Sequence, residues 1–134
     1  MLLNMPTKKA SKKPHILVVE DESALREMYE DWLTAENYQV STAEDGVVGI
    51  DKIMHQHPDL VLLDIMLPKK DGFEVLEEVR RNPKTRDLPV IILSSLDKGF
   101  EQKQGLDLGA EHYLVKTEIS PDSLYETINK VLKK

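Results

Sequence analysis

The chain has 134 residues, 40% of them hydrophobic, with no cysteine and a formal net charge of −6. That length supports a single core, the missing thiols exclude a disulfide framework and a cysteine nucleophile, and no apolar stretch approaches the ~18 residues of a membrane span, so a soluble cytoplasmic protein is expected. The charge is uneven: residues 1–14 carry four lysines and no acid, which leaves −10 on the remainder, and so acidic a body argues against direct contact with nucleic acid.

Lys8, Lys9, Lys12 and Lys13, with Pro6 and Pro14 and few apolar residues, predict a solvated, disordered basic tail over 1–14 and one folded domain over 15–134. His15 to Val19 reads as a strand that stops at Glu20-Asp21-Glu22. From Ser23, Leu25, Met28, Trp32 and Leu33 recur at helical spacing, and Asn37 serves as a left-handed stop. Tyr38 to Thr42 is a second strand, and Val47, Ile50, Ile53 and Met54 form the stripe of a helix opened by Asp45-Gly46 and closed before Pro58.

The stretch from Asp59 to Pro68 is central. Leu60 to Leu63 are apolar without alternation, as in a parallel strand covered on both faces, and the run delivers the carboxylate of Asp64 to the sheet's edge. Pro68 to Gly72 is a loop. Asp71 and Glu74 have the spacing of a capping box for a helix with Phe73, Leu76 and Val79 inside, ended by Asn82-Pro83. Pro89 to Leu93 is a fourth strand, stopping at Ser94-Ser95. Asp97 to Gly109 should be helical, yet Gly99 and Gly105 each cost roughly 1 kcal/mol there, so this is expected to be the least rigid helix. Tyr113 to Val115 is the last strand and leads into Lys116-Thr117; Ser120-Pro121 then opens a final helix striped by Leu124, Ile128, Val131 and Leu132. Five strands alternating with five helices imply right-handed crossovers and a parallel sheet between two helical layers.

In such a sheet the strand ends present Glu20 and Asp21, Asp64, Ser94 and Lys116 along one edge, where ligands of α/β sheets gather. Three crowded carboxylates repel unless a cation joins them, and hard oxygen donors suit magnesium. A lysine adds a point charge for a phosphate-like anion, and a serine hydroxyl can donate to the same group. Together they describe a site for a phosphoryl group on or beside Asp64, with the carboxylate as nucleophile.

These stretches, Ile16 to Glu22, Leu62 to Pro68, Asp71-Gly72, Pro89 to Ser95 and Gly109 to Lys116, resemble in order and spacing the receiver domain of two-component response regulators, from about His15 to Leu132. The resemblance implies a flavodoxin-like (βα)5 three-layer sandwich with strand order 2-1-3-4-5. It implies that Asp64 is the phosphoacceptor for a sensor histidine kinase or histidine phosphotransfer protein. It further implies Mg2+ held by Glu20, Asp21, Asp64 and the backbone carbonyl of Met66. Lys116 would pair with a phosphoryl oxygen. Ser94 and Tyr113 would act as the switch, remodelling the surface of the fourth helix, fifth strand and fifth helix, through which a monomer or weak dimer would meet a downstream protein. Met66 and Leu96 stand where such proteins control access of hydrolytic water, so rapid self-dephosphorylation is not expected. One departure stands out: the family usually has proline after the lysine, in a cis peptide, and here Thr117 follows, so a trans link and a less tightly placed lysine are expected.

The leading expectation is a stand-alone signalling switch that catalyses only its own phosphorylation and slow dephosphorylation. A pseudo-receiver acting as an interaction scaffold is the alternative. An aspartate-nucleophile phosphatase is disfavoured because Met66 stands where its second aspartate would be, and flavin binding because no phosphate loop follows the first strand.

Overall fold

Leu60–Asp64 forms the middle strand of the sheet, β3, and all five of its residues are buried, as an unalternating apolar run covered on both faces requires. The computed structural model describes residues 13–95 and 99–133. Of the predicted basic tail, residues 1–12 therefore lie outside the described residues, as do Leu96 and the predicted start of the fourth helix. His15–Val19 (β1), Gln39–Ala43 (β2), Val90–Ser94 (β4) and His112–Val115 (β5) complete a parallel sheet of order β2-β1-β3-β4-β5. The register pairs Val19 with Leu63, Asp64 with Leu93 and Ser94 with Val115, so the carboxyl ends of β1, β3, β4 and β5 share one edge.

Five helices, Ser23–Ala35 (α1), Gly46–Gln56 (α2), Gly72–Arg81 (α3), Phe100–Asp107 (α4) and Pro121–Leu132 (α5), alternate with the strands. On one face Tyr29 and Leu33 of α1 join Leu124, Ile128 and Val131 of α5 over Ile16, Val18, Leu60 and Leu62. On the other, Ile53 of α2 and Val75, Leu76 and Val79 of α3 cover Leu17, Val19, Val61 and Leu63. The expected three-layer architecture and strand order are both present.

Local signals placed most element ends. Asp71 accepts from the Glu74 amide while the Glu74 carboxylate accepts from the Asp71 amide, both at 2.9 Å. Ser120 accepts from the Ser123 amide, with Pro121 at the first helical position. Asn37 takes the left-handed conformation at φ 73°. Where the sequence reading differs, tertiary packing decides. Tyr29, absent from the predicted stripe of α1, is its most deeply buried aromatic, whereas Met28 and Trp32 are half-buried. Val47 is 47% exposed, because α2 buries Gly46 and Gly49 and lets its first turn lie close to the sheet. Gly99 stands outside α4, at φ 118°, instead of within it. Gly105 is the one fully buried residue of α4; a Cβ there would come within 2.6 Å of the Ile92 Cδ1 atom, so the helix rests on β4 through a residue with no side chain.

The connection from β3 to α3 is held just as closely. The Gly46 amide donates to the Pro68 carbonyl at 3.4 Å and the Gly72 amide to that of Ile65 at 2.8 Å. A Cβ on Gly72 would lie 2.3 Å from the Asp64 carbonyl oxygen and 2.7 Å from the Ile65 Cα. Backbone, not a flexible side chain, would have to move. Gly72→Ala is therefore expected to lower the unfolding free energy by about 1–3 kcal/mol, the usual cost of overpacking. Urea denaturation checks this, and an unchanged midpoint would contradict the packing described.

Candidate functional site

Glu20 and Asp64 are placed by the strands before them. The Glu20 amide donates to the Ala43 carbonyl at 3.0 Å, adding one rung to the β1–β2 ladder before the chain turns into α1. Its carboxylate is 2% exposed; Oε2 accepts from the Glu22 amide at 3.1 Å and Oε1 from Lys116 Nζ at 2.6 Å. Asp64, 4% exposed at the end of β3, accepts from Lys116 Nζ through Oδ2 at 3.1 Å and from the Met66 amide through Oδ1 at 3.4 Å. Asp21 is exposed. One carboxylate oxygen from each of Glu20, Asp21 and Asp64 lies within 4.8 Å of the other two.

The electrostatics follow from burial. Desolvation holds the Glu20 carboxyl above its ordinary range, and the nearby Asp64 charge adds to this, outweighing the Lys116 hydrogen bond that favours ionisation. A carboxyl raised in this way opposes folding at neutral pH, and that opposition fades as the pH falls through its folded pKa. Burial pulls Lys116 down, but the hydrogen bond to Glu20 and the charges of Asp64 and Glu20 more than reverse it, leaving the ammonium above the ordinary lysine range. Its stabilising contribution is accordingly complete below the ordinary lysine pKa and is lost only as the pH rises through the folded value.

Lys116 opens a short 3₁₀ turn, Lys116–Glu118, directly after β5. The Lys116–Thr117 peptide is trans, and from this backbone Nζ reaches both buried carboxylates. Ser94 is fully buried at the end of β4. Tyr113, 7% exposed, lies in the core on the face covered by α2 and α3, the face to which strand alternation also assigns Ser94. The Met66 side chain is 59% exposed two residues beyond Asp64, whereas Leu96 falls outside the described residues.

Two supporting sets of contacts went unnoticed in the sequence. Arg26 of α1 donates from one guanidinium nitrogen to the carbonyls of Glu20, at 2.9 Å, and Asp21, at 3.3 Å. Asp45 caps α2 by accepting from the Val48 amide at 2.8 Å and lies 3.6 Å from Lys69 of the β3–α3 connection. The Val48 hydrogen bond, helped by Lys69, holds its carboxyl below the ordinary range despite burial. The helix-opening role of Asp45-Gly46 was legible; the contact with Lys69 carries no sequence signal, since it joins two loops distant along the chain.

Chemically, three carboxylates converging beside an ammonium form a hard-oxygen donor set that fits a divalent cation of the magnesium class, with one partner, Asp21, open to solvent. No helix among the described residues is long and apolar enough to cross a membrane.

Comparison with known proteins adds to this geometry. The family model of the response regulator receiver domain matches residues 16–129. A probable transcriptional regulator, ycf27, from Porphyridium aerugineum is 39% identical over 92% of this chain and 50% of its own length. The DNA-binding dual master transcriptional regulator RpaA of Synechocystis sp. is 40% identical over 77% of this chain and 43% of its own length. Among solved structures, a CheY-like response regulator receiver domain protein from Methanospirillum hungatei superposes with a TM-score of 0.84 at 28% identity, covering 91% of this chain and 95% of that one. The BeF3-activated N-terminal receiver domain of Klebsiella pneumoniae RstA does so at 0.83 with 30% identity, covering 90% and 99%.

The chain thus spans about half the length of the curated relatives it matches. This corrects the expectation of a switch with no nucleic-acid partner: the relatives are transcriptional regulators, one of them described as DNA-binding. The acidic charge that motivated the expectation belongs to this chain and says nothing about the part of those relatives that it does not match.

Removing the ammonium should expose the cost of the buried acids. Lys116→Met is expected to lose about 3 kcal/mol of stability at pH 8, within the range for breaking a buried ion pair. The loss should shrink toward pH 5, as the unpaired Glu20 carboxyl, already raised by burial, takes up its proton. Denaturant unfolding at both pH values measures it; equal losses at the two would contradict the assignment of Lys116 as their counter-charge.

Proposed function

This chain belongs to the response regulator receiver domain family, and from that membership we propose that Asp64 accepts a phosphoryl group from the phosphohistidine of a sensor histidine kinase or histidine phosphotransfer protein. A carboxylate oxygen of Asp64 attacks phosphorus in line, the new O–P bond forms as the N–P bond breaks, and the imidazole leaves with the bonding pair and takes up a proton. The observation that carries this reading is the buried Asp64 carboxylate shared between Lys116 and an acid pair, a nucleophile with both an anion partner and a cation site beside it.

Glu20, Asp21 and Asp64, with the Met66 backbone carbonyl, would hold Mg2+, which supplies neutralisation of the charge gathering on the transferring oxygens. On transfer, Lys116 exchanges a carboxylate partner for a phosphoryl oxygen, and the Ser94 hydroxyl donates to another. Ser94 and Tyr113, both buried, would act together as the switch, and α4, whose seat on Gly105 leaves it few side-chain anchors, would move with them. Met66, exposed two residues beyond Asp64, stands where it would limit the access of hydrolytic water, so slow loss of the phosphoryl group is expected. The protein's catalysis is confined to its own modification, in a cytoplasmic setting where such kinases donate phosphoryl groups. The similarity to ycf27 and RpaA supports an output at the level of transcription, with DNA contacted by sequence beyond the matched half or by a partner.

Incubation with acetyl phosphate and Mg2+, followed by intact-mass measurement, is expected to show a gain of one phosphoryl group in the wild type. The gain should be absent in Asp64→Asn and after chelation of the metal. An equal gain in Asp64→Asn would reassign the acceptor, and none in the wild type would favour an unmodified scaffold. Thr117→Pro, which restores the residue usual in the family, is expected to speed this phosphorylation or enlarge the activated population by fixing the lysine more firmly; no change in either would show that Thr117 places Lys116 adequately.

A further inference from the structure

Beyond β1 the chain leaves the sheet, and the two peptide units flanking Asp21 no longer have a strand to bond. Their carbonyls, those of Glu20 and Asp21, both accept from the same nitrogen of Arg26, at 2.9 and 3.3 Å. Fixing both peptide planes around a residue fixes its φ and ψ, and hence the direction of its Cα–Cβ bond. For Glu20 this is one restraint among several, since its carboxylate is buried and bonded to Lys116 and to the Glu22 amide. For Asp21 it carries more of the weight. Asp21 is exposed, and among the described residues its carboxylate has no recorded hydrogen bond or ion pair, so neither packing nor a side-chain partner aims it at Asp64.

We infer that Arg26 is a positioning residue for the acid pair, orienting the Asp21 carboxylate toward Asp64 through the backbone and so setting the affinity of the site for a divalent cation. The inference rests on the proposed metal-assisted phosphoryl transfer and adds a residue to it. Arg26 is well situated for this role. It lies in the first turn of α1, where its own amide donates to the Glu22 carbonyl at 2.9 Å, so the helix that begins after the acids reaches back to brace them. Both recorded side-chain partners are neutral carbonyls, which makes its role one of geometry. Outer residues that orient metal ligands in this way typically govern affinity by about 10- to 100-fold.

The direction of the effect separates orientation from charge. If Arg26 acted only as a nearby positive charge, its removal would relieve repulsion and tighten cation binding. Orientation gives the opposite sign. Magnesium titration of the full 134-residue chain by calorimetry at fixed ionic strength is expected to show binding weakened about 10-fold or more in Arg26→Met. Arg26→Lys should also bind more weakly than wild type, since it keeps the charge but loses the guanidinium that spans both carbonyls. Thermal unfolding in chelator reports whether each variant remains folded, and Arg26→Lys carries the comparison should Arg26→Met not fold. Binding in both variants equal to or tighter than wild type would overturn the inference while leaving the proposed function intact. A wild type with no saturable Mg2+ binding that Asp64→Asn abolishes would remove the reading beneath it.

Discussion

The ammonium of Lys116 lying between two buried carboxylates is the interaction on which the rest of this structure depends. Glu20 and Asp64 are almost fully shielded from water and sit close enough to repel, an arrangement that is unfavourable for either as an ion without a cation in contact. Lys116 supplies that cation from the far end of the chain, and it does so only because β5 runs parallel to β1 and β3 with all three ending at the same edge. The parallel order, the register and the short turn after β5 are thus conditions for closing one charge balance. Under the proposed function the same balance would make the site responsive, since a bound cation or an added phosphoryl group would compete directly for partners already in place.

What surrounds the pair is mostly backbone held by small residues. Gly46 and Gly72 let the connection after β3 lie against the start of α2 and the end of its own strand, at distances no side chain would permit. Asp45 reinforces that contact through Lys69. On the other side of Asp64 the turn after β1 is fastened by Arg26. The Asp64 carboxylate therefore projects from a rigid strand between two braced loops, which is how a site keeps its geometry when its own charges push apart.

Much of this was legible in advance, for identifiable reasons. The apolar run before Asp64 reads as a strand covered on both faces, and the acids, serine and lysine at the ends of the first, third, fourth and fifth strands point to one shared edge. Cap signals such as Asp71 with Glu74 are local and were read correctly. The strand order was not available from periodicity, because alternating strands and helices are compatible with several orders; it came through the family resemblance. Tyr29 and Val47 were misplaced because a helical stripe is a broad arc, and which of its members lies deepest depends on the neighbouring layer: glycines draw α2 inward at Gly46 and Gly49, leaving Val47 outside. Arg26 was invisible because its partners are main-chain carbonyls, which no pattern of side chains encodes. The charge argument against nucleic acid failed because it weighed only these residues, which span about half the length of relatives described as transcriptional regulators.

The contact between Lys116 and Glu20 joins residues 96 positions apart, and that with Asp64 joins residues 52 apart. Neither can form in a nascent chain until its last strand has emerged and docked, so a partly synthesised or C-terminally truncated polypeptide holds the acids without their counter-charge. Assembly of the acidic site is then coupled to completion of the sheet: fragments that fold only in part hold its carboxylates without the ammonium that balances them.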